Sequence, residues 1–141
     1  MKQILTLGLA LIMMSGNLTV SAQDAKKQTA KQEVSPKVEV IYFHYTRRCE
    51  TCKAVEANSK LALEELYVNE VKKGEYTFRS INLDDESSKV LAKKYKIGGQ
   101  SLVVISNNNV IDITGQGFTN AKNLPKLKEE IKKTVEKAIK G

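Results

Sequence analysis

An almost uninterrupted apolar segment, VEVIYFHY from Val38 to Tyr45, restricts the folds open to this chain more than any other stretch. It is rich in β-branched and aromatic residues, which favour β-strands. It also lacks the polar and apolar alternation of a strand with one solvated face, so such a strand must be covered on both faces. The segment therefore predicts a central strand in a sheet with helices on either side.

The residues that follow alternate between helical and strand-like patterns. From Cys49 to Gly74, apolar residues recur at helical spacing. Tyr76 to Leu83 predicts a second strand, and Asp84-Asp85 offers a cap for a helix that runs through Tyr95. This order of strand, helix, strand and helix is typical of parallel βαβ units.

A hairpin and a last helix complete the predicted domain. Ser101 to Ser106 and Val110 to Thr114 predict two strands joined by an Asn-rich turn, which is a hairpin signal. Pro125 fits the first turn of a final helix. The apolar face of that helix consists of Leu127, Ile131, Val135 and Ala138. The predicted order βαβαββα gives an α/β domain over residues 38–141, with a four-stranded mixed sheet flanked by helices.

The first 22 residues have the pattern of a secretory signal peptide. Lys2 precedes an apolar run from Ile4 to Met14, and Val20-Ser21-Ala22 is a small-residue cleavage pattern. The run is too short for a transmembrane helix, which needs about 20 residues. We expect cleavage near Ala22, a flexible linker over residues 23–37, and a periplasmic or secreted mature protein without a transmembrane segment.

The net charge of +7 raises the question of a nucleic-acid partner. The lysines are spread along the chain, and there is no Trp and no mixed basic and aromatic run of the kind that stacks on bases. The charge is therefore interpreted as a solvated surface with a bias toward acidic partners. We predict no nucleic-acid partner, no cofactor and a monomeric state.

The two cysteines, Cys49 and Cys52, lie where the first predicted strand passes into a helix. A domain of about 100 residues can fold without a disulfide, which leaves this pair free for chemistry. A thiolate at a helix N-terminus is stabilised by unpaired backbone N–H groups and by the helix dipole. Arg47 and Arg48 add positive charge just upstream, whereas Glu50 opposes it.

Three segments together resemble the thioredoxin superfamily: CETCK after an apolar strand, INLDDESSKVLAKKYKIGGQSLVVI, and NNNVIDITGQG. In that superfamily a strand leads into CxxCK, a second strand ends near an Asp, and a Tyr-x-Ile turn precedes the hairpin. The resemblance covers Val38 to Lys140 and implies a thioredoxin-like fold. It also implies a thiol-disulfide oxidoreductase in which Cys49 attacks and Cys52 resolves, with protein thiols or disulfides as substrates and a membrane thiol transporter as electron donor.

The segment VIYFHYTRRCETCKAVE is also similar to a group of small exported thioredoxin-like proteins that sometimes carry an arsenic-operon nitroreductase-subunit label. None of these residues provides a flavin site. The residues between the cysteines, Glu50 and Thr51, do not indicate whether the pair would act as a reductant or as an oxidant.

Two positions depart from the superfamily pattern. The cis-proline that usually precedes the third strand and faces the cysteines is matched by Ser101, with Gln100 before it. A cis bond before a non-proline residue costs about 3 kcal/mol, so we expect a trans peptide or a local rearrangement there. The buried acid of the first strand is matched by Phe43. Because strand neighbours point to opposite faces, His44, the only histidine, is expected to face away from the cysteines.

Two other functions fit the same residues. The cysteines could form a permanent disulfide in a non-catalytic thioredoxin-like binding module. Alternatively, the two thiolates with His44 could bind a soft ion such as arsenite or copper(I). A zinc site would need further ligands that the chain does not provide in a recognisable pattern, and we predict no resident metal.

Overall fold

A computed structural model describes residues 35–141. The predicted signal peptide and residues 23–34 of the predicted linker lie outside the described residues. Along the described part, the elements are β1 (Val38–His44), α1 (Glu50–Leu66), α2 (Val68–Lys72), β2 (Tyr76–Asn82), α3 (Ser88–Lys94), β3 (Ser101–Ser106), β4 (Asn109–Asp112), α4 (Thr114–Thr119) and α5 (Leu124–Lys140). None of these helices is both long and apolar enough to cross a membrane.

The strands form one mixed sheet in the order β2-β1-β3-β4. β1 and β2 are parallel, whereas β3 is antiparallel to both β1 and β4. β1 is therefore central, and all its residues are buried except the half-buried Glu39. This confirms the predicted α/β architecture with a four-stranded mixed sheet flanked by helices. It also confirms the central strand, which ends at His44, one residue before the predicted end.

Two apolar layers cover the sheet, one on each face. α1 and α5 pack on one face, where Tyr42 and Leu102 of the sheet join Val55 and Ile131 of the helices. α3 packs on the other face in a smaller layer that contains Ile41, Phe43, Ala92, Val103 and Ile105. The predicted apolar face of α5 is buried, as expected, at Leu127, Ile131, Val135 and Ala138.

The prediction of one continuous helix up to Gly74 was wrong. α1 ends at Leu66, and Tyr67 leaves the helical region with φ −132° before α2 begins. The ring of Tyr67 packs against Tyr76 of β2, with 4.9 Å between the ring centroids. This contact between residues of different elements outweighs the local helical pattern.

Two predictions about polar residues at element ends were also wrong. Asp84 and Asp85 do not cap α3, since its N-cap is Ser87 and no side chain makes a capping bond there. The fourth strand ends at Asp112, two residues before the predicted end. The carboxylate of Asp112 accepts a hydrogen bond from the backbone N–H of Thr114 at 2.8 Å, and this local turn starts α4.

Candidate functional site

The cysteine pair lies at the N-terminus of α1, after the loop 45–48 that leaves β1. Cys49 is the N-cap of the helix, and its Sγ accepts the backbone N–H of Cys52 at 3.2 Å. The two sulfurs lie at disulfide distance, and the Cα atoms are 5.1 Å apart. Cys49 is exposed, whereas Cys52 is only 7% exposed. The predicted placement at a strand-to-helix junction, with Cys52 the deeper cysteine, is confirmed.

The charged residues around the pair are partly compensated. Arg48 forms an ion pair with Glu56 of α1, and their side chains are 26% and 27% exposed. Glu50 pairs with Lys53 one turn along the helix, at 3.3 Å. Arg47 is exposed and forms no ion pair within residues 35–141, so it is the uncompensated cation beside Cys49. Thr51 is half-buried in the first helical turn.

A hydrogen-bond network ties the loop 45–48 to the end of β2. The backbone N–H of Thr46 donates to Oδ2 of Asp84 at 2.8 Å, and Nδ2 of Asn82 donates to Oγ1 of Thr46 at 2.9 Å. The backbone N–H of Leu83 donates to the carbonyl of His44 at 2.6 Å. The hydrogen bonds from Thr46 lower the pKa of Asp84 below its ordinary value of 3.8.

The D84N variant is expected to weaken the tie between this loop and β2. A carboxylate whose folded pKa is lowered stabilises the fold above its unfolded pKa, and this contribution is lost as the pH falls through the folded pKa. The D84N variant should therefore unfold at a lower urea concentration than the wild type at pH 7, and this difference should disappear as the pH falls through the folded pKa of Asp84, which lies below 3.8.

The matched control is D85N, whose parent carboxylate makes no side-chain hydrogen bond within the described residues. It should leave the urea midpoint unchanged at both pH values. An equal loss for D84N at acidic and neutral pH would show that the charge of Asp84 does not stabilise the loop.

A second polar contact lies inside the domain, on the sheet face covered by α1. The amide nitrogen of Gln100 donates to the hydroxyl of Tyr42, whose side chain is fully buried. Burial raises the pKa of the Tyr42 phenol above 10.0. The hydrogen bond from Gln100 and the charge of Arg48 lower this pKa, whereas the charge of Glu56 raises it further. The phenol is thus neutral at physiological pH, and the charges of Arg48 and Glu56 reach it.

Gln100 and Ser101 occupy different positions around the sheet. Ser101 is buried at the start of β3, pairs with Phe43, and donates from its Oγ to the carbonyl of Gly99 at 3.0 Å. Residues paired across strands share a face, so Ser101 shares the face of Phe43, while Gln100 reaches Tyr42 on the face of α1. That Ser101 faces the cysteines, as the cis-proline it matches does in the superfamily, stays a prediction.

His44 lies on the opposite side from the one expected. Phe43 belongs to the layer beneath α3, so its neighbour His44 faces α1, where its ring centroid is 5.7 Å from that of Tyr42. His44 is 8% exposed, and its Nδ1 lies 2.9 Å from the carbonyl of Tyr45. A carbonyl only accepts, so this bond requires a proton on Nδ1.

Sequence reasoning missed Tyr42 and Glu56 as members of the site. The signal for Glu56 is its spacing, since residues four apart on a helix share a face and Glu56 is four residues after Cys52. Within residues 35–141, no group of three or more His, Cys, Asp or Glu side chains is arranged to hold a metal ion. Cys49, Cys52 and His44 therefore do not form such a group.

Neither a family model nor a curated protein matches this chain. The chemistry open to the site follows from its geometry. An exposed sulfur caps a helix, a second sulfur lies buried one turn further on, and the loop before them is tied to β2.

Proposed function

We propose that this chain has a thioredoxin-like fold and is an exported thiol-disulfide oxidoreductase, with Cys49 as the attacking thiol and Cys52 as the resolving thiol. The observation that carries the proposal is the position of the Cys49 sulfur. Cys49 is an exposed residue at the N-cap of α1, and its sulfur accepts the backbone N–H of Cys52. The sheet order β2-β1-β3-β4, with helices on both faces, supports the fold assignment.

The first step of exchange uses the exposed sulfur. The thiolate of Cys49 attacks one sulfur of a partner disulfide, and a bond forms between the two sulfurs as the partner's S–S bond breaks. The second partner sulfur leaves as a thiolate and takes up a proton. Backbone N–H groups at the start of α1 favour the attacking anion because they have no partner within the helix.

The second step uses the buried sulfur. Cys52 loses its proton and attacks the sulfur of Cys49, which breaks the mixed disulfide and releases the first partner sulfur as a thiolate. Two electrons have then passed from the cysteine pair to the partner disulfide. The reverse sequence oxidises a partner dithiol. Burial of Cys52 keeps partners away from it, so the order of attack is set by access.

A purely structural role explains the pair less well. In the chain-entropy model, a disulfide that closes a loop of so few residues stabilises a protein by roughly 2 kcal/mol. The described domain already has two apolar layers on its sheet. The proposal extends to protein thiols or disulfides as substrates and to a membrane thiol electron donor, in a periplasmic or extracellular space where disulfides persist.

Exchange with a reporter disulfide tests the proposal. The reduced protein should reduce a peptide disulfide at neutral pH and become oxidised at Cys49 and Cys52, whereas a locked module would not exchange. In a separate sample of the reduced protein, alkylation followed by peptide mass spectrometry should label Cys49 well before Cys52. Preferential labelling of Cys52 would reverse the assigned roles.

A further inference from the structure

The ion pair between Arg48 and Glu56 joins the loop before the cysteines to the second turn of α1. Arg48 directly precedes Cys49 in the chain. About three quarters of each of the two side chains is removed from solvent, so solvent and salt screen this pair less than an exposed one. The pair between Lys60 and Glu64 on the same helix is more exposed and longer, at 3.9 Å.

Glu56 is directed toward the cysteines by the geometry of the helix. Helical side chains lean toward the N-terminus and cover the preceding turn. Glu56 therefore extends over the turn that holds Cys52, where its carboxylate meets Arg48. The buried phenol of Tyr42 responds to both charges, since Arg48 lowers its pKa and Glu56 raises it.

The other charged or titratable groups on α1, on the loop 45–48 and at the ends of β1 and β2 mostly have partners of their own. Glu50 pairs with Lys53, Asp84 accepts from Thr46, and His44 contacts the carbonyl of Tyr45. The two cations next to Cys49 in the chain are Arg47 and Arg48. Within the described residues, only Arg48 forms an ion pair with a carboxylate, that of Glu56.

We propose that Glu56 is a positioning residue for the thiol chemistry: by holding Arg48, it withholds that positive charge from the sulfur of Cys49 and so sets how oxidising the cysteine pair is. This role rests on the proposed function, because it concerns the same sulfur. A cation beside a thiolate stabilises the reduced form, and a stabilised reduced form makes the pair a stronger oxidant.

The two halves of the ion pair then have opposite effects. Without Glu56, Arg48 is free to stabilise the thiolate, so Cys49 ionises at lower pH and the pair becomes more oxidising. Without Arg48, Glu56 is an uncompensated anion on the helix that Cys49 caps, so Cys49 ionises at higher pH and the pair becomes more reducing. If the ion pair only fastened the loop, loss of either half would change Cys49 in the same direction.

The test compares the variants E56Q and R48Q with the wild type. For each reduced protein, the rate of Cys49 alkylation is measured against pH, and thermal unfolding checks that the fold is kept. A partly screened charge is expected to shift the pH midpoint by about half a unit, downward in E56Q and upward in R48Q. At a fixed glutathione ratio, the ratio of reduced to oxidised protein should change about threefold, in opposite directions.

Two further variants serve as controls. E64Q removes the carboxylate of the exposed pair on the same helix and should leave the midpoint unchanged. R48K keeps the positive charge and should leave the midpoint close to the wild-type value. Shifts of the same sign in E56Q and R48Q, or no shift in either, would overturn the role of Glu56. Cys49 can be alkylated whether or not the protein exchanges disulfides. Opposite shifts of the alkylation midpoint in E56Q and R48Q, in a protein that exchanges no disulfide, would therefore support the role of Glu56 and contradict the oxidoreductase proposal.

Discussion

Replacing Cys49 by serine is expected to reduce disulfide exchange to the uncatalysed background. A serine hydroxyl is not ionised at neutral pH and does not form a disulfide, so the first attack cannot occur. The Cys52→Ser variant keeps the exposed sulfur but has no second thiol to attack the mixed disulfide. It should therefore accumulate a covalent complex between Cys49 and the partner, which intact-mass measurement under non-reducing conditions will detect.

Both variants should remain folded, which circular dichroism can check, because the pair closes a short loop and neither Cys49 nor Cys52 belongs to the two apolar layers. Among folded variants, a difference in disulfide exchange then reports on the roles of the two thiols. A covalent complex in Cys49→Ser and none in Cys52→Ser would exchange the roles of the two thiols. Exchange at the wild-type rate in both variants would place the activity outside this pair.

The Ile131→Ala variant is expected to lower the free energy of unfolding by about 2–5 kcal/mol, the range for truncating a buried Leu, Ile or Met side chain to alanine. Ile131 is fully buried in the layer that joins α5 to α1 and to the sheet. Its removal leaves a cavity that the packed helices can only partly close. Urea unfolding followed by circular dichroism measures the loss.

Ile139→Ala is the matched control, since it makes the same change in the same helix at a side chain that is 49% exposed. We expect it to change the free energy of unfolding by less than about 1 kcal/mol. Equal losses for the two variants would show that α5 does not use its predicted apolar face to cover the sheet.

The parts of the fold that depend on local pattern were predictable. The nearly continuous apolarity of Val38 to Tyr45 marked a buried central strand, and the spacing of Leu127 and Ile131 marked the buried face of α5. The break at Tyr67 was not predictable, because it depends on packing against Tyr76 in another element. The carboxylate of Asp84 could have capped α3 or accepted a hydrogen bond from another part of the chain. It accepts from Thr46, which is distant in sequence, so local pattern could not predict this bond.

In the candidate site too, the features set by local sequence were predictable and those set by packing between distant elements were not. The N-cap position of Cys49 followed from the strand-to-helix order, which is a local signal. Strand alternation correctly implied that Phe43 and His44 face opposite sides, but it could not say which side α1 covers. The structure places α1 on the side of Tyr42 and His44, so Phe43, which the predicted resemblance aligns with a buried acid, faces α3 instead.

The reduction potential of the Cys49 and Cys52 pair tests the central claim most directly. The protein is equilibrated with glutathione buffers over a wide range of ratios, and the reduced fraction is measured after acid quenching and alkylation. A redox-active pair should have a potential between roughly −270 and −120 mV, where cellular thiol-disulfide oxidoreductases lie. A potential well below about −300 mV, together with no exchange on a reporter disulfide, would identify an inert structural bridge and contradict the account.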